Sequence, residues 1–428
     1  MAAHDSGRST LRICMLAACP FPANHGTPGS IREMSEALAA DGHDVDVVTY
    51  SFGENIPLHG LRLHRIARLT RENDVIVGPT VRRPLYDLQM VFKTLEVVQR
   101  RRSHVLHAHG YEAALIGAAC RAVMRVPMVY SAHNTMADEL PTYGFIRPRW
   151  LATAVAYALD RVVPRLADRC VPHSTNVERF LHRLGLRDRT HDVVNFGIDI
   201  DRMADGNGEQ VRERYGLGVS PVVVYAGVLD RFQRLDLLIQ AMGLVTVMHP
   251  SAKLLLVVTI PQPAHLARLR AHAAQLGIAD RLVITEPQPL HAVRDFVHAA
   301  DVAVVPRPAA PGYPIKLLNY MAAGRACVLY ASSASAAIVH RETAMLACAD
   351  TAASLADAIT VVLDDPKLRT ALGRNAYHFA RAHHDRRTIA RRMVACYEHV
   401  LQREKPAPHW SDACRVYSSS AGTAQPST

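Results

Sequence analysis

Short apolar runs of strand length alternate with segments of helical period along most of the chain, and this alternation confines the fold to parallel sheets with crossover helices. Residues 12–17 predict a first strand. A loop rich in glycine and proline follows at 19–29. A helix then runs over about 30–40, with Ser30 as its N-cap, Ile31, Met34 and Leu38 on one face and Gly42 at its stop. Residues 45–49, 105–108, 128–131 and 170–172 predict further strands. The pattern starts afresh at 222–225. Strands at 253–258, 281–285, 302–305 and 327–330 are separated by helices at 235–247, 264–276, 291–299 and 314–323. The expectation is therefore two successive doubly wound α/β halves, 11–204 and 205–386, with the polar stretch 205–220 as their linker. An amphipathic helix at 387–404 follows. The tail 405–428, rich in Pro, Ser, Ala and Thr, reads as disordered.

Length and composition fit that reading. A chain of 428 residues, 49% hydrophobic and 21% charged, has material for two cores. Its longest apolar stretches, such as 253–260, fall far short of the ~20 residues that span a bilayer. Residues 1–10 lack the apolar centre of a signal peptide, which gives a cytoplasmic expectation. The eight cysteines (Cys14, Cys19, Cys120, Cys170, Cys327, Cys348, Cys396 and Cys414) form no Cys-x-x-Cys pair and read as reduced thiols rather than zinc ligands. The formal charge of +10 suits nucleic acid, an anionic membrane or an anionic small molecule. Aromatics, at 6%, are not interleaved with the basic residues, which argues against a single-strand stacking platform. Peripheral contact with an anionic membrane remains, as does a merely solvated basic surface.

In open α/β sheets ligands bind at the carboxyl ends of strands, where loops run into helix N-termini. Three loops carry chemistry at such places. The first is His25-Gly26-Thr27-Pro28-Gly29-Ser30. Its glycines permit close backbone approach, and the helix after it offers unsatisfied N–H groups to an anion. It matches neither G-x-G-x-x-G nor the P-loop, so a dinucleotide enzyme or an ATPase gains no support, and an ordinary strand-to-helix turn is the plainer reading. The second is Ser131-Ala132-His133-Asn134-Thr135. His133 there either meets a sugar hydroxyl or phosphate or bonds its own loop. The third runs from Val305 to Gly324. Arg307 follows a strand directly, Gly312-Tyr313-Pro314 turns into a helix, and Lys316 and Asn319 share that helix's first face. A guanidinium, an ammonium and a helix N-terminus converging on one loop make a diphosphate site; the alternative is a surface lysine. The pairs Asp44/Asp46 and Asp199/Asp201 sit away from strand carboxyl ends, and His107/His109 lacks a third ligand, so no metal is expected.

These segments together resemble glycosyltransferase family 4, retaining sugar transferases of the GT-B fold, over roughly 12–402. The resemblance is carried by Pro20-Phe21-Pro22-Ala23-Asn24-His25-Gly26, Leu38-Ala39-Ala40-Asp41-Gly42-His43, His107-Ala108-His109-Gly110, Ser131-Ala132-His133-Asn134, Val194-Asn195-Phe196-Gly197-Ile198-Asp199 and Pro314-Ile315-Lys316-Leu317-Leu318-Asn319-Tyr320-Met321-Ala322-Ala323-Gly324. Their order and spacing are what make it specific. The resemblance implies two Rossmann-like domains facing across a cleft. It implies a nucleotide-sugar co-substrate on the second, with contacts at Gly26, Gly29, Gly227, Arg231, Arg307, Gly312, Tyr313, Lys316, Leu317 and Asn319, and no cofactor. It puts an acceptor on the first domain near His109 and Asn134, His133 at the donor sugar in a catalytic role, and a last helix crossing back to the first domain.

The donor side departs from the family's pattern. Pro311 and Asn319 stand where two glutamates are usual, and Val228 and Gln233 stand where two cations are usual. Two classes of function follow: a metal-independent transferase acting on a glycan, lipid-linked or small-molecule acceptor, or a catalytically silent GT-B protein acting as a binding module. A phosphorylase or epimerase of the same fold has no motif in its favour.

Overall fold

The computed structural model describes residues 9–23, 26–68, 83–143, 146–229, 231–260, 262–308, 314–335 and 337–403. The tail 405–428 and the turn residues Gly312 and Tyr313 lie outside them. Two six-stranded sheets, each wholly parallel, account for the core. The first holds β1 (Arg12–Ala17), β2 (Asp44–Thr49), β3 (Leu61–Arg65), β4 (Val105–His109), β5 (Met128–Ala132) and β6 (Arg169–Pro172) in the order β3-β2-β1-β4-β5-β6. The second holds β7 (Val222–Gly227), β8 (Lys253–Val258), β9 (Leu282–Ile284), β10 (Val302–Val305), β11 (Ala326–Tyr330) and β12 (Met345–Ala347) in the order β12-β11-β10-β7-β8-β9. Each order reverses once, between β1 and β4 and between β7 and β10. A doubly wound sheet opens a ligand crevice at such a point. The chain thus has the GT-B architecture of two Rossmann-like units.

The central strands β7, β8 and β10 of the second sheet are near-continuous β-branched and leucine runs because both their faces are covered, whereas β4 and β5 of the first carry the buried polar residues His107, His109 and Ser131. The edge strands β3 and β12 escape sequence reading for the same physical reason. β3, Leu-Arg-Leu-His-Arg, is half-buried throughout, and β12 has three residues. The first helix is Gly26–Ala40, longer at its start than expected. Pro28 sits in its first turn, where a missing N–H costs nothing, so the helix begins before Ser30. Ser30 is therefore not its N-cap; its hydroxyl donates back to Thr27 O at 2.8 Å. The polar stretch 205–220 is not a bare linker either. Helix Gly208–Arg214 lies within it, capped by Asn207, whose side chain accepts from Gln210 N, and anchored by buried Val211.

The closing helix, Arg386–Arg403, packs on the first sheet although it follows the second. Ile389, Ala390, Met393, Val394, Cys396 and Tyr397 are buried against Ile13, Met15, Val47 and Val129. Gly197 makes the crossing possible: a Cβ there would stand 2.9 Å from Arg386 Cα. Arg386 also reaches Glu33 of the first helix at 3.2 Å and Asp199 of the connecting segment at 2.7 Å.

Candidate functional site

A cavity of about 360 Å³ lies where the carboxyl ends of the two sheets converge. The first unit contributes Gly26, Gly29, Ser30, Arg32 and Glu33, all from the start of its first helix. The second contributes Ala226 and Gly227 at the end of β7, Val228, Phe232 and Gln233 after it, Thr259 after β8, and Arg307, Pro314, Ile315, Lys316, Asn319 and Tyr320 after β10. Both switch points therefore open on one crevice.

Lys316 is held in a defined place. Its Nζ donates to Tyr225 Oη and to Gln233 Oε1, each at 2.6 Å, and lies 4.2 Å from the centre of the Tyr225 ring. Helix Ile315–Ala322, which carries it, is pinned to β7 by Tyr320. That hydroxyl accepts from Ala226 N at 2.8 Å and donates to Ala226 O at 3.2 Å. Gly227, at φ +151°, leaves room for the ammonium: a Cβ would lie 3.3 Å from Nζ. The Arg307 guanidinium stacks over Phe232 at 4.6 Å, and Phe232 is half exposed. Asn319 faces the same cavity one turn beyond Lys316.

Two further cations line the crevice that the motifs did not single out, Arg32 and Arg202. Both pair with Glu33, whose carboxylate also takes Arg386. Arg32 lies two residues beyond the first glycine loop, on the helix face it shares with Ser35 and Glu36 and not with Ile31, Met34 and Leu38. Gln233, read only as a missing cation, orients Lys316 instead.

Several expected contacts are placed elsewhere. Leu317 is 1% exposed and packs in the second core, because successive residues on a helix point about 100° apart and Lys316 takes the crevice side. Arg231 opens the 3-10 turn Arg231–Gln233, which directs Phe232 and Gln233 to the crevice; Arg231 itself lines a separate cavity with Arg234, His265 and Arg268. Asn134 donates to Glu139 of the helix Met136–Tyr143 that follows its loop, at 3.2 Å. His109 is 5% exposed with both nitrogens engaged, at 3.3 Å from His133 Nε2 and 3.3 Å from Met15 Sδ, so it is not presented to a second substrate.

His133, at the end of β5, stacks on His173 at 4.5 Å and on Phe196 at 5.6 Å, and Gly197, next to Phe196, lines the crevice. His133 is not itself among the residues lining that cavity. Burial, then the neighbouring His173 and His109 rings, hold its pKa well below the usual histidine range. The aspartate pairs are taken by cations. Asp46 receives Arg62 and His64 at 2.8 Å, and these outweigh burial to keep it ionised. Asp199 caps the helix Ile200–Ala204. Among the described residues no three His, Cys, Asp or Glu side chains are grouped as a metal would need.

The fold and the crevice define a class, the GT-B glycosyltransferases. The sequence profile of Glycosyltransferase Family 4 matches residues 26–202, and that of Glycosyl transferases group 1 matches 209–379. The chain belongs to glycosyltransferase family 4. It is 27% identical over 307 residues to the D-inositol 3-phosphate glycosyltransferase of Geodermatophilus obscurus, a match covering 66% of this chain and 67% of that one. A second relative of that name, from Nocardia farcinica, is 26% identical, and its match spans 57% of this chain and 56% of that one. Among solved structures, sucrose-phosphate synthase from Thermosynechococcus elongatus superposes with a TM-score of 0.76 at 20% identity, covering 92% of this chain and all of that one. Anabaena HepE in complex with UDP-glucose does so with a TM-score of 0.69 at 16% identity, covering 91% of this chain and all of that one. Among the described residues no helix is long and apolar enough to cross a membrane.

Proposed function

We propose that this glycosyltransferase moves a sugar from a nucleotide-sugar donor to an acceptor hydroxyl with retention and without a metal. The unit 205–386 holds the donor and the unit 11–204 the acceptor. The observation that carries this is the convergence of Lys316, Arg307 and the N-terminus of helix Ile315–Ala322 on a crevice walled opposite by Gly26, Gly29 and Arg32. A diphosphate there meets fixed positive charge, and groups already oriented stabilise the charge that develops as the glycosidic bond breaks, each worth ~3 kcal/mol of barrier. The acceptor oxygen enters on the face the diphosphate leaves. Its proton passes to a phosphate oxygen, so the anomeric configuration is kept. Asn319 hydrogen-bonds the ribose, and His133 serves the sugar. The UDP-glucose in HepE makes a uridine donor the first to try. The named substrate of the inositol-phosphate relatives, together with Arg32 and Arg202 on the acceptor side, favours a phosphorylated acceptor.

The replacement of a carboxylate by Asn319 supports a second reading, binding without turnover. Purified protein incubated with a panel of nucleotide sugars separates the two. Slow donor hydrolysis that persists in chelator is the expected result. Binding with no hydrolysis under any condition favours the silent module, and turnover lost in chelator and restored by a divalent ion contradicts the metal-free reading.

Peripheral contact with an anionic membrane, on the cytoplasmic face, belongs to the same proposal. Helix Arg149–Val162 exposes Trp150 (69%), Tyr157 (59%) and Val162 (53%) beside exposed Arg147, Arg149 and Arg161. Aromatic side chains with an arginine rim suit a headgroup layer.

A further inference from the structure

We infer that Met15, acting through His109, fixes His133 as the tautomer with its hydrogen on Nε2 and a bare Nδ1, which makes Met15 and His109 positioning residues for the imidazole beside the crevice. Met15 is fully buried in β1, and its thioether can accept a hydrogen bond but has none to donate. His109 Nε2, 3.3 Å from that sulfur, therefore carries the hydrogen. A neutral imidazole has one N–H, so His109 Nδ1 is an acceptor. The hydrogen in the 3.3 Å contact between His109 Nδ1 and His133 Nε2 must then come from His133. That leaves His133 Nδ1 with a lone pair. The opposite assignment sets two lone pairs against each other at Met15. It also puts an N–H on His133 Nδ1, a buried atom with no partner among the described residues, and a buried N–H without an acceptor is the costlier defect.

The surroundings hold the relay in place and keep it neutral. His107 lies against His109, ring centres 4.1 Å apart, and is itself tethered at both nitrogens, to Tyr397 of the closing helix and to Ser131, each at 2.7 Å. Burial disfavours protonation of all four imidazoles in the stack, and charging one would repel the next. His173 repeats the outcome at the neighbouring strand end. Its Nδ1 donates to Val194 O at 2.6 Å, and its Nε2 is left bare and buried.

The consequence is a polarity along the crevice. Beside it, His133 Nδ1 and His173 Nε2 are buried acceptors, which suit hydroxyls and reject ionised phosphate oxygens. The Lys316, Arg307 and Arg32 end offers cations. This consequence rests on the donor reading proposed above; the tautomer itself does not.

The test is nitrogen-15 NMR of histidine-labelled, ligand-free full-length protein. In the wild type, His133 should show a pyridine-type Nδ1 and a pyrrole-type Nε2 in a single form. Met15→Leu, which conserves volume, should split His133 into both tautomers. Met34→Leu, in the same core layer away from the histidines, should leave it single. In turnover assays Met15→Leu should raise the donor KM roughly fivefold while kcat holds within about a factor of two. A wild-type His133 protonated on Nδ1, or a Met15→Leu spectrum identical to wild type, overturns the relay. UDP-glucose is then added. A shifted His133 Nδ1 signal supports both readings, whereas an unmoved signal with the tautomer intact counts against the donor reading alone and leaves the relay standing.

Discussion

Lys316 owes its placement to three residues that carry no charge: Tyr225 below it, Gln233 beside it and Gly227 making room. Its place at the start of a crevice helix was legible from the strand-turn-helix pattern, but its partners were not, because Tyr225 lies 91 positions and Gln233 83 positions away. The histidines show the opposite failure. Their strand-end positions were clear, yet His109 reads as a ligand contact until its burial beside Met15 is known. Those buried imidazoles set a pH dependence. Burial is the main cause holding His173 and His384 at about 4 in the folded chain, against 6.5 when exposed. Between those values the unfolded chain binds protons the folded chain refuses, so stability is complete above about pH 6.5 and falls as the pH drops, by about 1.4 kcal/mol per pH unit for each such histidine. Urea midpoints across pH 4 to 7 should fall toward acid, and His384→Gln should flatten the slope by one proton's worth. An unchanged slope in that variant would show that His384 does not take part.

At the level of elements, the central strands and the edges β6 and β9 announced themselves, and the edges β3 and β12 did not. A strand buried on both faces is mostly apolar, with polar residues such as His107 and His109 only where they find partners, whereas β3 is half-buried and reads as Arg-rich coil. The first helix begins four residues before Ser30, which resembles a cap, because its first turn tolerates Pro28. The closing helix was legible as amphipathic, while its berth followed only from family resemblance. That berth makes a prediction. Ile389 is fully buried against the first sheet, so Ile389→Ala should cost about 2–5 kcal/mol in chemical denaturation. Arg391→Ala, exposed on the same helix, should cost little. Equal small effects would mean that the helix contributes little to holding the first unit.

For the whole molecule, two sheets of the same winding order bring both switch points to one crevice, and the salt-bridged Glu33, Arg202 and Arg386 join first helix, connecting segment and closing helix behind it. The fold class was legible because the alternation of periods repeats twice. The crevice's cations were legible only in part, since Arg32 and Arg202 stand outside the motif loops. The net charge of +10 gains a surface at helix Arg149–Val162. Sedimentation with vesicles should show binding to anionic but not to neutral lipid, weakened in Trp150→Ala; equal binding to both would remove the electrostatic part of that account. The central claim is that Lys316 and Arg307 meet a diphosphate. Calorimetric titration with UDP-glucose and companion nucleotide sugars tests it most directly. The account predicts that one donor binds the wild type and that Lys316→Ala and Arg307→Ala each lose at least tenfold in affinity, about 1.4 kcal/mol. Undiminished binding in both variants, or no binding of any nucleotide sugar to the wild type, would contradict it.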